Sequence, residues 1–62
     1  MDNWFAITWN ELVRDEIFSE QTLWKAETPE QAVETFRASF DEVDIKKVSN
    51  VKVYKLVEVV IF

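Results

Sequence analysis

The chain has 62 residues, 12 acidic and 7 basic side chains, a net charge of −5 at pH 7, one Pro and no Cys, His or Gly, which leaves room for one small domain, residues 1–62. Lacking Cys and His, it has no disulfide, no thiolate nucleophile, no imidazole acid/base and almost no zinc or haem chemistry, so neither an enzyme nor a cofactor is expected. The acidic balance argues against direct nucleic-acid binding, and no apolar run nears the roughly 20 residues of a membrane span; with no basic region leading into an apolar stretch at Met1-Asp2-Asn3, a cytoplasmic, non-membrane protein is expected.

Residues 3–13 (NWFAITWNELV) are rich in aromatic and β-branched types and alternate, with Phe5, Ile7 and Trp9 on one face and Trp4, Ala6 and Thr8 on the other, which predicts a first strand. Three charges, Arg14-Asp15-Glu16, interrupt the pattern, and residues 17–26 alternate again with Phe18, Thr22, Trp24 and Ala26 on one side. A hairpin is predicted. With no glycine to take positive φ, its turn is not expected to be of the favoured Asn-Gly kind.

Thr28-Pro29-Glu30-Gln31 is the strongest local signal. It combines a Thr N-cap, a Pro at the first helical position, where its missing N–H costs nothing, and a Gln placed to close a capping box. The helix starting at Pro29 then repeats Ala32, Val33, Phe36 and Phe40 at helical spacing, which gives one apolar stripe facing a sheet. Arg37 can reach Glu34 or Asp41 on the exposed side. After the acidic break at Asp41, Glu42 and Asp44, the run IKKVSNVKVYKLVEVVIF favours strand. A final strand is expected over at least residues 50–61, with Ile45–Val48 as its bent beginning or as a separate short strand turned at Ser49-Asn50. The bent continuous strand is preferred. The expected class is α+β, with element order β-β-α-β and a three-stranded antiparallel sheet of order 2-1-3 carrying the helix on one face.

One helix covers only one face of such a sheet, so the other face should be polar in a protein that stands alone. The last strand is apolar on both: Val51, Val53, Val57, Val59 and Ile61 on one side, and Tyr54, Leu56, Val60 and Phe62 on the other. Trp4, Leu12, Ile17 and Leu23 can add to the second face. Trp9 and Trp24 are assigned to the core and Trp4 to an interface. Charge is uneven too. Residues 1–45 carry 11 acidic and 3 basic groups, a net of −8, and residues 46–62 four lysines and one glutamate, a net of +3. Lys46, Lys47, Lys52 and Lys55 can steer an acidic partner, and the acidic remainder can dock on a basic one. The carboxylates of Asp41, Glu42 and Asp44 lack the spacing and loop glycine of an EF-hand, so no metal site is expected there.

Residues 26–34 (AETPEQAVE) form a strand end in Ala-Glu-Thr, an acidic first helical turn and an Ala-aliphatic-Glu helix face. This resembles small bacteriophage β-β-α-β host-takeover proteins, the acidic inhibitors of bacterial RNA polymerase. The resemblance implies a protein that binds and blocks a large host enzyme without chemistry of its own. It also implies a contact through alternating arginines of the last strand. Lys46, with Lys47 or Lys52, is the nearest equivalent here, and lysine does not reproduce a planar bidentate fork. The expected function is therefore a non-enzymatic module of phage or mobile-element origin that binds and inhibits a host protein, RNA polymerase being the family's target. Self-association as a homodimer through Leu56, Val60 and Phe62 of the last strand is also expected, since no second helix covers them. The alternative function is a small homodimeric structural domain whose second sheet face is covered by its own copy, without an inhibitory role. An enzyme using Glu11, Asp15 or Glu16 is the least favoured reading. The candidate partner-binding residues are Trp4, Asp41, Glu42, Asp44, Lys46, Lys47, Lys52, Tyr54, Leu56, Val60 and Phe62.

Overall fold

The computed structural model of the protein describes residues 3–56. They form β1 (Asn3–Val13), β2 (Glu16–Ala26), α1 (Pro29–Ala38), a 3₁₀ turn (Asp44–Lys47) and β3 (Val48–Lys55). The sheet order is β2-β1-β3, with β1 antiparallel to both neighbours, so the α+β, β-β-α-β class read from the sequence holds. The expected last-strand residues Val57, Val59, Val60, Ile61 and Phe62 lie outside the described residues.

The hairpin is in register along its whole length, from Asn3 opposite Ala26 to Val13 opposite Glu16. Its two-residue loop holds Arg14 at φ 50° and Asp15 at φ 66°. This corrects the expectation for the turn. Positive φ at both central positions is the requirement of a type I′ turn, whose twist matches that of the strands. The chain meets it without glycine, at a steric cost of roughly 1–2 kcal/mol for each non-glycine residue.

α1 begins as its sequence predicts. Thr28 is extended (φ −133°, ψ 156°) and its hydroxyl accepts a hydrogen bond from the Gln31 N–H at 3.1 Å. The Gln31 side chain accepts in turn from the Glu27 N–H at 2.8 Å, one residue before the cap, which ties the end of β2 to the helix. At the other end Ser39 takes the C-cap, its N–H donating to the Phe36 carbonyl at 3.1 Å and the Phe40 N–H to the Arg37 carbonyl at 3.2 Å. Arg37 is exposed and reaches neither Glu34 nor Asp41; the ion pair found among the described residues is Lys47–Asp44, at 3.9 Å.

Alternation places Phe5, Ile7 and Trp9 of β1 and Trp24 and Ala26 of β2 under the helix, where Ala32 and Phe36 meet them. Phe5, Ile7, Ala26, Ala32 and Phe36 are buried, and Trp9, Trp24, Phe40, Val48, Val51 and Val53 pack partly buried around them. Trp9, Phe36 and Phe40 form an aromatic triangle, with ring centroids 4.7 Å apart for Trp9–Phe36, 5.0 Å for Phe36–Phe40 and 6.2 Å for Trp9–Phe40. Such tilted and edge-on pairs add to what area burial alone gives. The Trp9 indole N–H donates to Glu11 Oε1 at 3.3 Å, whereas that of Trp24 is buried without a partner among the described residues.

The second correction concerns residues 45–48. The Asp41 carboxylate accepts from the Val43 and Asp44 N–H groups at 3.0 and 2.7 Å, and its carbonyl from the Ile45 N–H at 3.0 Å. These bonds wind the backbone into the 3₁₀ turn, so β3 starts only at Val48. Val48 would then share the wrong side of the strand with Lys52 and Tyr54, were it not for a β-bulge. Thr8 pairs with Lys52 and Asn10 with Ser49, which sets Asn50 and Val51 against the single residue Trp9. Asn50 adopts φ 52°, the left-handed geometry that asparagine tolerates best among the non-glycine residues. The extra residue returns Val48 to the helix side.

Two stability measurements check this account. Thr28→Ala removes the acceptor for the Gln31 N–H and is expected to lower unfolding stability by roughly 0.5–2 kcal/mol in urea titration. Replacing Arg14-Asp15 by Asn-Gly relieves both left-handed positions and is expected to raise it by about 1 kcal/mol; a loss of stability would mean that the turn is of another type.

Candidate interaction surface

The helix is ten residues long against strands of eleven, about 15 Å of helix against about 36 Å of strand. It covers one end of one side. The opposite face of the sheet has no covering element among the described residues, and the pairing of the strands sets out its side chains in rows. At one end Lys25, Trp4 and Leu56 lie side by side, Leu56 donating its N–H to the Trp4 carbonyl at 3.0 Å. Next come Leu23, Ala6 and Tyr54, then Gln21, Thr8 and Lys52, then Ser19, Asn10 and Ser49, and at the far end Ile17 and Leu12. The Ser19 hydroxyl lies 3.4 Å from Asn10 Oδ1.

Both ends of this open face are apolar and the middle is polar. Leu23 is 59% exposed, Tyr54 51%, Trp4 50% and Leu56 42%, and at the far end Ile17 is 71% exposed. Single exposed apolar side chains are ordinary, whereas a contiguous set on neighbouring strands marks an interaction surface. In the middle the short side chains leave a shallow depression of ≈ 430 Å³ lined by Thr8, Asn10, Ser19, Gln21, Lys52 and Tyr54, together with Trp9, Glu20 and Asn50, of which Trp9 and Glu20 hold strand positions of helix-side parity.

Charge is divided between the two faces. Glu11, Glu16 and Glu20 stand at strand positions that point to the helix side, Glu30 and Glu34 on the helix itself, and Asp41, Glu42 and Asp44 in the connection that follows. Within the paired strand segments the positions of open-face parity hold no carboxylate, and they carry Lys25 and Lys52.

Of the residues singled out in the sequence, Trp4, Lys52, Tyr54 and Leu56 come together on this face. Asp41, Glu42, Asp44, Lys46 and Lys47 do not. They belong to the connection between α1 and β3, where Asp41 caps the 3₁₀ turn and Lys47 pairs with Asp44. Among the described residues no group of three carboxylates is placed to hold a metal ion, and no helix is long and apolar enough to cross a membrane. Val60 and Phe62 lie outside the described residues. Absent from that selection are Gln21, Thr8, Asn10 and Lys25. Their signal is the strand parity: the odd positions of 17–25 and the even positions of 4–12 contain no acid, while their opposite-parity neighbours contain Glu11, Glu16 and Glu20. Set against known proteins, the chain matches no family model, no curated protein and no solved structure.

The roles of the acidic connection can be separated by substitution. Asp41→Ala removes the acceptor for two backbone N–H groups and is expected to cost roughly 0.5–2 kcal/mol in chemical denaturation. Glu42→Lys, at an exposed neighbour without such bonds, is expected to stay within about 0.5 kcal/mol of the parent. Equal effects would remove Asp41 as a cap.

Proposed function

We propose that the protein is a non-enzymatic protein-binding module whose working surface is the open face of its sheet. The observation that carries this reading is the joint exposure of Trp4, Leu23 and Tyr54 on three adjoining strands, with Leu56 just beyond β3, where the buried core among the described residues is five side chains. Tryptophan and tyrosine with an apolar surround are the usual anchors of protein interfaces. The finer reading is a phage or mobile-element product acting in a host cytoplasm, where it binds and inhibits a host protein such as RNA polymerase. Its support is the resemblance at residues 26–34, which are also the residues that end β2, cap α1 and form its first turns. The homodimer without inhibitory role is the alternative, since a second copy can cover the same face.

The test uses the partner captured by the full chain from a bacterial lysate. Trp4→Ala with Tyr54→Ala is expected to leave the denaturation midpoint within about 1 kcal/mol of the parent while weakening capture by about tenfold or more, since each anchor typically contributes at least 1–2 kcal/mol. Glu30→Lys with Glu34→Lys, on the helix side, is expected to leave capture unchanged. The reverse pattern would place the working surface on the helix. Sedimentation of the free parent protein separates the alternative: a dimer that the Trp4 and Tyr54 substitutions dissociate favours self-association.

A further inference from the structure

The shape and charge of the open face restrict what can sit on it, provided that this face is the working surface, the reading on which the inference rests. Lys52 stands in the polar middle row between Thr8 and the strand edge, and Lys25 flanks the apolar end. Around the depression the amides of Gln21 and Asn10 and the hydroxyls of Thr8 and Ser19 can both donate and accept, the Ser19 hydroxyl donating to Asn10 Oδ1, while the ammonium of Lys52 only donates. Glu20 also lines the depression, from a strand position of helix-side parity, and no strand carboxylate of open-face parity stands beside Lys52. An occupant that covers Lys52 must therefore bring an acceptor, a negative one in particular, because an ammonium covered without a counter-charge is costly.

Shape and spacing restrict it further. The depression needs an occupant that is convex in the middle. Successive rows on one face are two residues apart, about 6.6–6.8 Å, so the Trp4–Leu56 row and the Leu12–Ile17 row each lie about 13 Å from Lys52 along the strands. A second copy stacked face to face sets depression over depression and, within the paired strand segments, brings no carboxylate of open-face parity to the two Lys52 ammonium groups. A copy docked by its acidic helix side makes a head-to-tail contact that builds chains rather than a closed pair. Single-stranded nucleic acid could stack on Trp4 and Tyr54, yet two lysines neutralise few phosphates on a molecule of net charge −5.

We propose that the open face takes an acidic segment of a partner protein, with a carboxylate seated at Lys52 between two apolar anchors, one on Trp4 and Leu23 and the other on Leu12 and Ile17. Lys52 supplies specificity and the aromatic end most of the affinity. Long-range repulsion from the acidic helix side favours the orientation in which the partner approaches the open face.

The experiment selects mRNA-displayed random 16-residue peptides on the immobilised full chain and maps the winners by amide chemical shifts. The expected winners carry Asp or Glu between apolar residues and shift the amides of Thr8, Gln21 and Lys52. They bind Lys52→Glu and Lys52→Met about tenfold or more weakly than the parent, both variants keeping the parent's urea midpoint. Changing the peptide's central acid to Lys restores binding to Lys52→Glu. Winners on the same face that are basic or neutral, or acidic winners indifferent to Lys52→Glu, overturn the inference and leave the working surface standing. Three outcomes overturn the protein-binding reading as well: winners that shift α1 instead, no enrichment at all, or a 20-nucleotide oligo(dT) bound in a Lys52-dependent way. A parent dimer in sedimentation that Lys52→Glu leaves intact returns the face to a second copy and overturns the inference.

Discussion

One ten-residue helix has to cover three strands that are up to eleven residues long, and most of the molecule follows from that mismatch. The helix shields one side of the sheet near the end where Phe5 and Ala26 lie. Phe36 reaches Trp9, and Phe40 extends the aromatic contact by one more turn. Beyond that the hairpin runs on uncovered, so Leu12, Val13, Ile17 and Phe18 remain exposed. Among the described residues burial, at roughly 25 cal/mol per Å² of apolar surface, is thus concentrated in five buried side chains and a ring of half-buried ones, and the large apolar side chains of the sheet's second side remain exposed.

The absence of glycine shapes the connections. Among the described residues three positions take left-handed backbone, and Arg14, Asp15 and Asn50 occupy them. Asp15 and Asn50 are suited to this by short polar side chains that tolerate the region, and Arg14 is held there by the closing pair of a hairpin in register over eleven positions. The bulge at Asn50 has a packing consequence. It reverses the parity of β3, so that Val48, Val51 and Val53 all reach the core side while Ser49, Lys52 and Tyr54 all point to the open face.

The elements legible in the sequence are those specified locally. Strict alternation in 3–13 and 17–26 fixed the strands and their faces, and Thr28-Pro29-Glu30-Gln31 fixed the helix start to the residue, because each hydrogen bond involved spans at most four positions. Residues 45–48 misled for the opposite reason. Ile45 and Val48 favour strand by residue type, but the Asp41 carboxylate and carbonyl capture the N–H groups of residues 43–45, and a turn with its hydrogen bonds made prevails over weak strand propensity. The type I′ turn was hidden because its usual marker is glycine. Of the surface, Trp4, Tyr54, Leu56 and Lys52 were legible from composition and alternation. The polar middle was not, since Gln21, Thr8 and Asn10 become neighbours only through the strand register.

That register also explains how the paired strands of an acidic chain keep carboxylates off the positions of open-face parity. A glutamate on a half-buried strand can be tolerated on either side of the sheet if it reaches water, and Glu11, Glu16 and Glu20 reach it past the uncovered distal part of the helix side, where the short helix leaves them exposed or half-exposed. The same shortness that limits the core therefore provides a place for strand carboxylates away from the open face. On the open face the strand positions neighbouring Lys52 carry the short uncharged side chains of Thr8, Asn10 and Ser49, and Lys52 is exposed. An apolar occupant alone would strip water from its ammonium and leave the charge unpaired, a loss that the Trp4 and Leu23 contacts would have to offset. A carboxylate placed above Lys52 removes that penalty, so in the proposed binding mode the middle row would act as a filter on partners that the apolar ends alone would admit.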